Sequence, residues 1–96
     1  MGLLDFLTSK RRTKERIALF NYHIFNMKEG VRTINSVRSS NPRSLKQLSQ
    51  ITEIYLKEAR HFREKEEKNL TRAQLYQWAI VYSRLELQCS QLNNYW

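Results

Sequence analysis

Apolar residues return at steps of three and four along three long stretches of this chain. The first row is Ile17, Phe20, Ile24, Met27, Val31 and Ile34. The second is Leu45, Leu48, Ile51, Tyr55, Ala59 and Phe62, and the third is Leu75, Trp78, Tyr82, Leu85, Cys89 and Leu92. Mixed steps of three and four residues keep side chains on one face of an α-helix and do not fit the two-residue alternation of a strand. Leu19, Tyr22 and Phe25 widen the first stripe, and Ile54 and Leu56 flank the second. Ala73, Ile80 and Leu87 add a second row to the third helix, repeating at seven, and with Val81 make it apolar on two sides. That helix is expected at the centre of the fold or shared with a partner.

The breakers agree with the periodicity. Two glycines and one proline cannot supply the many tight turns of a sheet or barrel. Long helices joined by short polar loops are expected, over about residues 13–38, 42–68 and 71–93. SSNPRS (39–44) is the first loop, with Asn41 as N-cap and Pro42 at the first helical position, where a missing N–H costs nothing. Thr71 and Gln74 fit a capping box. The charged run REKEEKN after Phe62 predicts final turns that project past the core, with Glu64 and Lys68 paired at i, i+4. Gly30 lies inside the first helix, where glycine costs about 1 kcal/mol relative to alanine. It either marks a close helix contact or has no special role.

A chain of 96 residues is one domain by size. The expectation is an all-α, up-down-up antiparallel three-helix bundle (13–96) preceded by a short N-terminal amphipathic helix with a basic end (1–12).

Little in the chain suggests catalysis. The only Cys or His side chains are Cys89, His23 and His61, and none are at metal-ligand spacing. Cys89 sits on an apolar stripe, where a thiol behaves as a small hydrophobe. The two histidines read as surface or rim residues, and glycine at positions 2 and 30 alone excludes a glycine-rich phosphate loop. No enzyme activity, cofactor or metal is expected.

Charge is unevenly spread. Of a net +8, residues 1–50 carry +7 and residues 51–96 only +1. Lys14, Arg16, Arg32, Arg38, Arg43 and Lys46 are the candidate contacts for an anion or for nucleic acid, through salt-dependent and sequence-independent backbone contacts.

The start of the chain sets an apolar patch, Leu3, Leu4, Phe6 and Leu7, before a basic cluster that includes Lys10, Arg11 and Arg12. This order is the reverse of a secretory leader and is how a membrane-surface anchor looks. The stretch MGLLDFLTSKRR resembles the amino-terminal membrane-targeting segment of the MinE family of bacterial cell-division factors. The likeness spans residues 1–12. The rest departs from that family, which needs β-strand sequence where this chain has helical heptads. The resemblance implies a membrane-touching chemistry and nothing further. The same four apolar residues could instead cap the bundle. Phe6 occupies the position where a myristoylation motif needs Ser or Thr.

Aromatic residues concentrate in the third helix and the terminus: Tyr76, Trp78, Tyr82, Tyr95 and Trp96. Trp78 and Tyr82 read as core. Tyr95 and Trp96 read as a lid on the bundle or a docking element. Together these features describe a small helical adaptor, chaperone or inhibitor that binds another protein through Leu3, Leu4, Phe6, Leu7, Lys10, Arg11, Arg12, Tyr95 and Trp96. A basic nucleic-acid-binding accessory protein is the alternative. An anionic membrane surface is a further partner, a homodimer is compatible with the pattern, and a lone cysteine suits a reducing, cytoplasmic setting.

Overall fold

The computed structural model describes residues 3–36 and 42–93, with side chains described for 12–36 and 43–92. Three helices account for nearly all of them: α1 (Leu3–Ser36), α2 (Pro42–Glu66) and α3 (Arg72–Asn93), with a single 3-10 turn at Glu67–Asn69. Each helix packs against the other two, and no strand occurs among the described residues. Side-chain partners fix the directions. Arg16 meets Glu66, and Trp78 meets the Ala59 carbonyl, so α2 runs antiparallel to both neighbours. Gly30 lies against Leu85, so α1 and α3 run parallel. This is the up-down-up bundle, drawn out to 59 × 21 × 18 Å.

The segment 3–12 is not a separate helix. Its backbone is continuous with α1, whose 34 residues make it about 51 Å long at 1.5 Å per residue. The final turns of α2 do not stand alone in water either. Phe62 is buried, and Arg16 of α1 reaches Glu66. The i, i+4 pair that forms there is Arg63–Glu67 at 3.4 Å rather than Glu64–Lys68, across the junction where the α-helix ends at Glu66 and the 3-10 turn begins. The capping box at α3 is complete: the Gln74 N–H donates to Thr71 Oγ1 at 3.1 Å, and the Thr71 N–H donates to Gln74 Oε1 at 2.9 Å. The expected N-cap Asn41 lies outside the described residues.

The core follows the expected rows on α1 and α3 except at Ile17, which is 46% exposed near the end of the bundle. Phe20, Ile24, Met27 and Ile34 are buried with Trp78, Leu85, Cys89 and Leu92. Val81 joins them, whereas Ala73, Ile80 and Leu87 lie on the exposed outer face of α3. On α2 the buried row runs through Leu45, Ser49, Thr52, Ala59 and Phe62, and Ile51 is exposed. The middle of the bundle explains this. A methyl group on Gly30 would stand 2.9 Å from Leu85 Cδ1 and 3.4 Å from Thr52 Cγ2, so the three helices converge where only small groups fit. Ser49 and Thr52 fill that space, and their hydroxyls are satisfied locally. Thr52 Oγ1 lies within donating distance of the Leu48 and Ser49 carbonyls, 3.0 Å from each, and 3.3 Å from Cys89 Sγ.

Candidate functional site: the groove between α1 and α2

Burying the α1 and α2 rows leaves part of each apolar surface outside. Leu19 is 48% exposed, Tyr22 53%, Ile51 47% and Ile54 54%. Leu19 and Tyr22 are three residues apart on α1, as are Ile51 and Ile54 on α2, so each pair occupies one helix face. Leu19 and Ile54 line the same open groove of about 730 Å³, and Tyr22 and Ile51 lie one turn from them on the same helices. Leu19 and His23 line one wall, Ile54, Glu58 and His61 the other, with Phe62 buried at the base. Lys57, Lys65, Glu64 and Glu66 mix both signs of charge around the margin. Apolar residues at this spacing, bordered by mixed charge, suit the apolar stripe of an amphipathic helix.

His23 departs from the expected surface or rim position. Only 8% exposed, its ring lies 4.9 Å from the Phe62 ring and 5.3 Å, edge-on, from that of Tyr22. Burial disfavours the imidazolium and pushes the His23 pKa below its ordinary 6.5, and the charge of Glu58 offsets part of that shift. His61 is exposed on the neighbouring face.

Glu66 closes one end of the groove. Its Oε2 accepts from Asn69 Nδ2 and from Arg16 Nε, each at 3.0 Å. These donors, Asn69 first, hold the carboxyl below its usual 4.5 against the opposing effect of burial. Arg16 is thereby committed to the protein itself, about three-quarters covered, and is not the free anion contact the sequence suggested.

The other candidate residues are dispersed. Leu3, Leu4, Phe6, Leu7, Lys10 and Arg11 belong to the first turns of α1, and their side chains lie outside the described residues, as do Arg38, Tyr95 and Trp96. Arg12 and Lys14 are exposed on α1. Arg43 and Lys46 are exposed near the start of α2, away from both grooves. Arg32 pairs with Glu29 at 2.6 Å and lines a second groove, between α1 and α3, with Lys28 and Arg84. Lys28 and Arg84 were not singled out from the sequence, although their recurrence at heptad spacing with polar neighbours was available there.

Among the described residues no cluster of three His, Cys, Asp or Glu side chains could hold a metal ion, and no helix is long and apolar enough to cross a membrane. No protein family, curated protein or solved structure matches this chain.

Proposed function

We propose that this protein is a non-enzymatic interaction module that takes an amphipathic helix of another protein into the α1/α2 groove, completing a four-helix arrangement. One observation carries the reading: Leu19 and Ile54 stand about half exposed on the two walls of a groove with Phe62 at its base, and Tyr22 and Ile51, also about half exposed, extend the same helices' apolar surface beyond it. Burying apolar area of this kind is worth about 25 cal/mol per Å² before the costs of association. A fourth helix in that groove would cover the exposed apolar surface of both helices at once, as fourth helices do in bundles. The mixed charges at the margin, Lys57, Glu58, Glu64 and Lys65, would set its orientation rather than its affinity.

A photo-crosslinking residue at position 54, expressed in the source cell, tests this. The expected result is one discrete adduct whose linked peptide is amphipathic and helical, lost when Leu19→Asp is added. A crosslinker at position 43, on the outer side of α2, should give no such adduct. An adduct of the chain with a second copy of itself, or equal adducts from both positions, would overturn the reading.

A further inference from the structure

We propose that the α1/α3 groove binds the phosphodiester backbone of nucleic acid without reading its sequence. Lys28, Arg32 and Asn35 of α1 and Arg84 of α3 surround a cleft of about 330 Å³ floored by Val31 and Val81. Among the described residues no acidic side chain lines it. Glu29 pairs with Arg32 but is not among the lining residues. Lys28 and Arg84 form no ion pair among the described residues.

The cleft is the middle of a longer track. Lys14, Asn21, Lys28 and Asn35 recur every seven residues on α1, and Gln77, Arg84 and Gln91 do the same on α3. All seven are exposed. Residues seven apart on a helix share a face and lie about 10.5 Å apart along its axis. Lys28, Asn35 and Arg84 of these rows line the cleft itself; the others continue the same helix faces beyond it, and the α1 row extends about 31 Å from Lys14 to Asn35. Glu15 and Glu29 on α1, and Glu86 on α3, fall off these rows.

Cations and amides in a line are what contact successive phosphates, with the cations supplying affinity and the amides hydrogen bonds. A lipid surface is the poorer fit. Phe25 stands 61% exposed beside the α1 row and Ile80 and Leu87 beside the α3 row, but the cations Lys28, Arg32 and Arg84 line a cleft between two helices, which a phosphodiester strand can enter and a flat bilayer surface cannot. A single small anion would not use cations repeated along a groove.

Fluorescence anisotropy with labelled duplex DNA and single-stranded RNA tests the proposal, the two probes telling which form the track prefers. At least one should bind, and engagement of three duplex phosphates would weaken affinity about 40-fold between 50 and 200 mM salt. The double substitution Lys28→Glu, Arg84→Glu should lower the salt slope by about two. Arg43→Glu, Lys46→Glu, an equal charge change on α2, should leave binding nearly unchanged. Lys28→Gln, Arg84→Gln provides a milder variant, and circular dichroism verifies that each remains helical. The proposal is overturned by any of three results. One is that neither probe binds at low salt. Another is that the α2 variant loses as much as the groove variant. The third is that phosphatidylserine vesicles or polyglutamate bind as tightly as the nucleic acids.

Discussion

Gly30 of α1 and Leu85 of α3 meet so closely that a β-carbon on Gly30 would lie 2.9 Å from Leu85 Cδ1. Leu85 is fully buried and has little room to retreat. Gly30→Ala should therefore destabilise the bundle by about 1 kcal/mol, because overpacking at roughly 1–3 kcal/mol outweighs the gain in helix propensity. In a Leu85→Val background the same change should be neutral or stabilising. Chemical denaturation of the four proteins in the cycle measures the coupling, and additivity would refute the close approach.

Stability should fall as the solution is acidified, in two stages. The unfolded imidazole of His23 titrates near 6.5 and the folded one lower, so the unfolded chain takes up the proton first and stability declines as pH drops through and below 6.5. Glu66 adds a second decline below 4.5, where the unfolded carboxylate protonates before the folded one. Thermal melts across this range should show both. His23→Gln should remove the upper stage and leave the lower. A melting temperature constant between about pH 7.5 and 5.5 in the native protein would contradict the buried position of His23.

Trp78 ties the ends of α2 and α3 together. Its Nε1 donates to the Ala59 carbonyl at 3.2 Å, its ring stacks on Tyr82 at 4.4 Å, and the Arg63 guanidinium lies 5.0 Å from the ring centroid. Arg63 Nε is buried with no hydrogen-bond acceptor, so the indole face is its principal neighbour there. Trp78→Phe should cost about 1–2 kcal/mol through loss of the donor and the stronger cation–π partner. Trp78→Ala should cost about 3–5 kcal/mol. Equilibrium unfolding followed by circular dichroism provides the comparison, and equal losses would show that the polar contacts contribute nothing.

Thr52 offers a contrasting case. It is fully buried, yet its hydroxyl mainly serves carbonyls of its own helix, which keep their helical partners when it is removed. Thr52→Val should cost no more than about 1 kcal/mol, since it leaves no large unsatisfied group and nearly preserves volume. Thr52→Leu should cost more, by overfilling the space beside Gly30. Urea midpoints that rank the two the other way would mean the hydroxyl network dominates.

The three helices, their directions and the α3 cap were legible in the sequence because hydrophobic spacing and capping chemistry act locally. The inward face of α2 was not. Hydropathy favoured Ile51, but the convergence of three backbones at Gly30 admits only small side chains, and that constraint arises between helices. Gly30 itself was visible as a helix-interior glycine, with its purpose settled only by Leu85. His23 was misplaced for a related reason: a polar side chain on the flank of a helix is covered or uncovered according to which neighbour leans over it, here Phe62. The pairing of Arg16 with Glu66, fifty positions away, likewise depends on where α2 ends. The α1/α3 basic track needed the parallel alignment of two helices that the chain separates.

Cys89 is the sole thiol of the chain and is sealed against Ser49 and Thr52. The molecule thus holds its own internal clock. An alkylating reagent reaches that sulfur only when α2 and α3 part, so the labelling rate reads how often the bundle opens, with no added probe.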